Sequence, residues 1–154
     1  METGSLALSD IISLRPRFMR SVHLERDFFL PSAADDYVLT RGSASSVSLL
    51  ARGVADPAYR AQCLSGPYGA GKSALALYVG QLLNRTTNGS LRQQAQDVLA
   101  GLAKDLVPPS GAGYIMVVAT GTRESVGACL VRGLERSLSN SGHVEKIPDV
   151  QVVR

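Results

Sequence analysis

Eight consecutive residues near the middle of the chain carry the residue types and spacing that bind phosphate. The stretch Gly66–Ser73 has the sequence GPYGAGKS and matches G-x-x-x-x-G-K-[ST] at every fixed position. Gly66 and Gly71 permit backbone angles and close approaches that a Cβ atom would block. Successive backbone N–H groups of such a loop point inward and form a nest for an anion. The stretch therefore predicts a loop that wraps a polyphosphate with main-chain amides.

Single residues of this phosphate loop have separate expected roles. Lys72 would bridge the β- and γ-phosphates, which makes it the candidate catalytic residue, and the Ser73 hydroxyl would bind Mg²⁺. The Ala74 N–H would lie near the α-phosphate, and Tyr68 either stacks on a base or shapes the loop. The predicted nucleotide-binding residues are Gly66, Pro67, Tyr68, Gly69, Ala70, Gly71, Lys72, Ser73 and Ala74.

The elements on either side of the loop are those that such a site requires. Residues 60–65 have the pattern of a short strand that leads into the loop. Apolar residues at helical spacing follow it, namely Leu75, Tyr78, Val79 and Leu82. A helix that begins near Lys72 would add the positive end of its dipole to the loop.

The rest of the pattern predicts a parallel sheet with helices on its faces. Residues 114–119 (YIMVVA) are a continuous β-prone run, typical of a strand buried on both faces. Three further helices are expected, one capped by Ser43 before the loop, one capped by Ser90, and one with the stripe Val126, Leu130, Leu134 and Leu138. The order strand, loop, helix, helix, strand, helix indicates an α/β fold.

The phosphate loop is a Walker A motif, and with it the chain resembles the P-loop NTPases. The string CLSGPYGAGKSALALYVGQLL at 63–83 is similar to AAA- or STAND-type ATPase domains at the N-terminal side of large bacterial proteins, many of them phage-defence or restriction-linked. Residues 21–27 and 37–40 are similar to the lead-in of such proteins. The resemblance covers about residues 20–140. It implies a three-layer αβα sandwich, binding of ATP and Mg²⁺, and nucleotide-driven movement of a larger assembly.

No acid after the loop stands where an ATPase of this kind needs one. The expected Walker B element is an apolar strand that ends in Asp, whose carboxylate holds Mg²⁺ through water. The run at 114–119 ends in Thr120, and no apolar strand precedes any later acid, namely Asp97, Asp105, Glu124, Glu135, Glu145 and Asp149. We therefore expect an incomplete sandwich, the N-terminal part of a larger ATPase, and no hydrolysis by this chain alone.

Length and composition limit the remaining possibilities. The 154 residues, 45% of them hydrophobic and 19% charged, suit one domain with a real core. We predict an irregular N-terminal arm or linker at 1–41 and a partial nucleotide-binding domain at 42–154. The net charge of +3 is too small to indicate a nucleic-acid partner by itself. The longest apolar run is too short to span a bilayer, so we expect no membrane contact and a cytoplasmic location.

Two other functions stay open from the residues alone. A small-molecule or nucleotide kinase also uses a P-loop, but the region after Ser73 is not rich enough in arginine to identify a lid. A regulatory or scaffolding module would bind nucleotide, or nothing, and act by contacting a partner. A GTPase and an ABC domain are disfavoured because Asn-Lys-x-Asp and Ser-Gly-Gly-Gln are absent. In the leading interpretation the partners are further domains or protein subunits.

Three residues outside the loop are weaker candidates for a role. Thr120 follows the second predicted strand and could touch a nucleotide, but a turn or helix cap is the favoured role. Arg132 and Arg136 lie at i and i+4 on one helix face and could contact phosphate or a partner, but an exposed, solvated face is favoured for them.

Overall fold

The computed structural model describes residues 7–13, 20–30, 32–84, 93 and 114–140. These ranges form the helices α1 (Leu8–Ile11), α2 (Leu24–Asp27), α3 (Arg41–Ala55), a 3₁₀ helix (Pro57–Tyr59), α4 (Lys72–Leu83) and α5 (Val126–Asn140). The helix predicted after Ser90 lies outside the described residues, except for Gln93. None of the helices in the described ranges is long and apolar enough to cross a membrane.

The predicted three-layer αβα sandwich with a parallel sheet is wrong. The described chain is mostly helical and contains no sheet. An isolated parallel bridge joins Asn84 to Tyr114, whose N–H donates to the Leu83 carbonyl at 2.9 Å. β-prone side chains favour an extended backbone, but a strand forms only where a neighbour shares its hydrogen bonds. Residues 115–119 make no backbone hydrogen bond to any other described residue. Their expected burial on both faces is also wrong, because Ile115 and Val117 are each 42% exposed.

Helix α4 is the centre of the packed part of the molecule. All of its residues from Leu77 to Leu83 are buried, although a surface helix would bury only one stripe. The core cluster consists of Ala34, Val47, Leu75, Tyr78, Val79, Leu82 and Leu83. Because α4 starts at Lys72, the same helix that anchors the core also holds the end of the phosphate loop.

Residues 20–38, called here the N-terminal segment, pack directly on α4. The Tyr37 ring stacks on the Tyr78 ring with centroids 4.6 Å apart. Phe28 is 2% exposed and lies so close to Gly80 that a Cβ there would sit 2.7 Å from its ring. The Gln81 amide donates to the Phe28 carbonyl. These contacts join part of the predicted arm to the core, while the domain boundary at residue 41 stays a prediction.

Helix α3 has Thr40 as its N-cap, three residues before the expected cap at Ser43. The Thr40 hydroxyl accepts from the Ser43 N–H at 3.2 Å, and the Ser43 hydroxyl accepts from the Thr40 N–H at 2.8 Å. This reciprocal capping box satisfies two groups that a helix start leaves unpaired. Ser43 therefore takes part in the capping box as the third residue of the helix, and not as the N-cap. Val47 and Ala51, from the predicted stripe, are buried.

Helix α5 packs on the extended residues 117–119. A Cβ built on Gly133 would lie 3.0–3.2 Å from atoms of Val117, Val118 and Ala119, so this glycine allows the close approach. The predicted stripe is largely outward-facing at its start, since Val126 is 77% exposed. The small residues Gly133 and Ser137 form the buried face instead.

Candidate functional site

The predicted phosphate loop is an exposed turn that runs into α4. Residues 61–71 are all exposed. Gly69 and Gly71 have φ of 80° and 77°, the left-handed region that residues with a Cβ avoid. Gly71 is the N-cap of α4, and the Ala70 N–H donates to the Pro67 carbonyl at 3.3 Å. The backbone therefore turns at Gly71, a fixed glycine of the motif, and at Gly69, which lies between the two fixed glycines.

Most backbone N–H groups of the loop have no partner in the described chain. Helix α4 has no side-chain cap, so the N–H groups of its first turn stay unpaired. Residues 68–71 before it add three more. Within residues 68–74, the N–H groups that donate no hydrogen bond to a described residue belong to Tyr68, Gly69, Gly71, Lys72, Ser73 and Ala74. Unpaired amides at the positive end of a helix dipole are the donors that phosphate oxygens need.

Lys72 holds its ammonium over the start of the loop. Its Nζ donates to the Gly66 carbonyl at 2.9 Å and to the Pro67 carbonyl at 2.7 Å. Both acceptors are neutral, and Lys72 makes no ion pair with a described carboxylate. The positive charge is therefore uncompensated and lies beside the unpaired amides.

The other loop side chains point to solvent. Tyr68 is 98% exposed, so its ring does not shape the loop by packing against it. Ser73 is exposed, and its hydroxyl makes no hydrogen bond to a described residue. A hard cation such as Mg²⁺ prefers oxygen ligands, and this hydroxyl fits as one of them. Across the described ranges, no group of three or more His, Cys, Asp or Glu side chains is arranged to hold a metal ion.

A second polar cluster centres on Glu25 and joins α2 to Thr120 and α5. Its carboxylate accepts from the Thr120 N–H at 2.6 Å, from Arg132 Nη1 at 3.4 Å and from Arg136 Nη1. Arg132 also pairs with Glu124 at 2.5 Å. We call these five residues the Glu25 cluster.

The Glu25 cluster balances its own charges. The hydrogen bond from Arg136, followed by that from the Thr120 N–H, lowers the pKa of the Glu25 carboxyl to about 2. The Arg132 and Arg136 side chains are only about one-third exposed, so the solvated face expected for them is wrong. Glu25 gave no signal in the sequence, because its partners lie 95, 107 and 111 residues away.

The structure gathers the residues singled out from the sequence into two separate groups: those of the loop, and Thr120 with Arg132 and Arg136 around Glu25. Thr120 is fixed through its main chain, with its N–H on Glu25 and its carbonyl accepting from Arg132 at 3.2 Å. The structure shows no contact between Thr120 and the loop among the hydrogen bonds of the described residues. Comparisons with family models, curated proteins and solved structures find no match for this chain.

Proposed function

We propose that this chain binds Mg·ATP through the phosphate loop. One observation carries the proposal: six backbone N–H groups with no partner among the described residues surround the start of α4, beside the uncompensated ammonium of Lys72. The loop is exposed, so a ligand can reach these amides without breaking a hydrogen bond of the fold. A polyphosphate supplies many acceptor oxygens and negative charge in one ligand.

Each part of the loop has a task in this proposal. The amides of 68–74 donate to phosphate oxygens, and the dipole of α4 adds to the attraction. The Lys72 ammonium exchanges its two carbonyl acceptors for β- and γ-phosphate oxygens, which are stronger acceptors because they are charged. The Ser73 hydroxyl is the side-chain ligand for Mg²⁺, which neutralises phosphate charge when bound.

We further propose that the binding unit belongs to a larger AAA- or STAND-like ATPase. The support is the resemblance of residues 63–83 to such domains and the lack of an acid after an apolar strand anywhere beyond the loop. A catalytic carboxylate would then come from another domain or subunit. Binding without turnover is the activity expected of this chain by itself.

The test is a calorimetric titration of the purified chain with Mg·ATP. We expect one saturable site, and we expect Lys72→Ala to weaken it roughly 10- to 100-fold, since hydrogen bonds to charged groups are worth about 1.5–3 kcal/mol. Arg123→Ala is the matched control, because it removes one exposed positive charge outside the loop. Equal affinity in the wild type and Lys72→Ala would contradict the proposal.

A phosphate-release assay separates the alternatives. The proposal expects no turnover above background by this chain, with or without Mg²⁺. ATP hydrolysis by the wild-type chain that is lost in Lys72→Ala would contradict this expectation, because it would show that the chain contains a complete catalytic site. Phosphate transfer to a small molecule would favour the kinase alternative. Absence of any measurable nucleotide binding would favour the scaffolding alternative.

A further inference from the structure

A cavity of about 370 Å³ lies between the N-terminal segment and the first two turns of α4. Its volume is at the small end of the range for ligand pockets in proteins. Its walls include Val22, Leu30, Ala33, Tyr37, Ala74 and Leu77. The cavity is therefore mainly apolar and has one aromatic ring in its lining.

The cavity begins where the phosphate loop ends. Ala74 and Leu77 follow Lys72 by two and five residues in the same helix, which places them roughly 3 and 8 Å along its axis. They lie one turn apart on one face and together form the α4 side of the cavity. A ligand whose phosphates occupy the loop thus has space for its remaining part beside this face.

The smaller polar part of the lining comes from the N-terminal segment, namely Arg20, Ser21, Asp27, Ser32 and Asp36. The Asp27 carboxylate already has protein partners, since it accepts hydrogen bonds from Arg20, Arg26 and the His23 N–H. Ser21 is exposed, and its hydroxyl makes no hydrogen bond to a described residue. An apolar pocket with a ring and an available hydroxyl suits a flat heterocycle joined to a sugar.

We propose that this cavity holds the nucleoside part of the nucleotide, with its base against Tyr37 and Leu77. This inference rests on the proposed function of the loop. It makes the N-terminal segment a wall of the binding site, held in place by the packing of Phe28 on Gly80. Nucleoside recognition and polyphosphate recognition then depend on different parts of the chain.

The first test compares Mg·ATP with Mg·tripolyphosphate on the wild-type chain. The loop contacts are common to both ligands, and only ATP has a nucleoside. We expect ATP to bind at least ten times more tightly. Equal affinities would overturn the cavity assignment and leave the loop assignment intact. Binding of neither ligand would overturn both.

The second test fills the cavity. Ala33→Leu adds three carbon atoms to a lining residue, and Ala58→Leu makes the same change at an exposed residue outside the cavity. We expect Ala33→Leu to lower the ratio of ATP to tripolyphosphate affinity to about threefold or less, without changing tripolyphosphate affinity. Ala58→Leu should keep the wild-type ratio. An unchanged ratio in a folded Ala33→Leu chain would overturn the proposal.

Photolabelling of the wild type provides a result that does not depend on any variant. Mg·8-azido-ATP is bound, irradiated, and the labelled peptides are sequenced. Label on residues 20–38 that excess ATP prevents would support the cavity assignment. Protectable label elsewhere, with residues 20–38 unlabelled, would overturn it.

Discussion

The two polar regions of this molecule hold their cations in opposite ways. In the phosphate loop, Lys72 donates to two neutral carbonyls and meets no described carboxylate. In the Glu25 cluster, Arg132 and Arg136 both pair with carboxylates. The loop thus keeps a net positive charge and unpaired N–H donors. In the Glu25 cluster, carboxylates neutralise the positive charges of both arginines and accept their hydrogen bonds. The comparison separates a cation available for an anionic ligand from cations that join parts of the fold.

The largest expected effect concerns the cluster. Glu25→Gln leaves two half-buried guanidinium groups without their shared carboxylate, and we expect it to lower the free energy of unfolding by about 2 kcal/mol, since hydrogen bonds to charged groups are worth about 1.5–3 kcal/mol. Glu135→Gln, at an exposed position of α5, should change stability by less than about 0.5 kcal/mol. Urea unfolding measures both. Mg·ATP affinity should stay unchanged in Glu25→Gln, and a loss in the folded variant would break the separation between the two regions.

Acid should remove the same contribution without a mutation. The pKa of Glu25 is about 2 in the folded chain against an ordinary value of 4.5, so its stabilisation is complete above pH 4.5 and is lost as pH falls toward 2. We expect a loss of about 2 kcal/mol between pH 6 and pH 3 from this group. Urea unfolding at several pH values gives the slope, and the Glu25→Gln chain should show a shallower one. Parallel slopes would contradict the assignment.

A smaller effect is expected in the loop. Gly71→Ala forces a Cβ into a left-handed conformation, which costs about 1–2 kcal/mol. Because that conformation turns the amides toward the ligand, we expect Mg·ATP to bind roughly tenfold more weakly. Gly121→Ala is the control, since Gly121 has no positive φ and an added Cβ there would meet no described atom within 4 Å. Equal affinities in the two variants would show that loop curvature is unimportant.

Local pattern was sufficient for the loop and for α4, but the strand predicted at 60–65 is wrong, because these residues are exposed and form no strand. The fixed positions of the motif placed glycine at the turn, and the apolar spacing after Lys72 placed α4. Both features depend on residues within a few positions of one another. This is why the curvature of the loop and the register of α4 follow from the sequence.

Contacts between distant parts of the chain were not predictable in this way. The run at 114–119 has the side chains of a buried strand, but pairing depends on a neighbour that its own residues do not specify. The partners of Glu25 and the packing of Tyr37 on Tyr78 likewise join residues far apart in sequence. Helical spacing placed Arg132 and Arg136 on one face and left their acidic partner unknown.

Amide NMR during a titration with Mg·ATP tests the central claim most directly. We predict the largest ¹H–¹⁵N shifts at Tyr68, Gly69 and Gly71–Ala74, with the guanidinium signals of Arg132 and Arg136 unchanged. Shifts confined to the arginines of the Glu25 cluster, or no shift in the loop at saturating ATP, would contradict the claim that the loop binds the nucleotide.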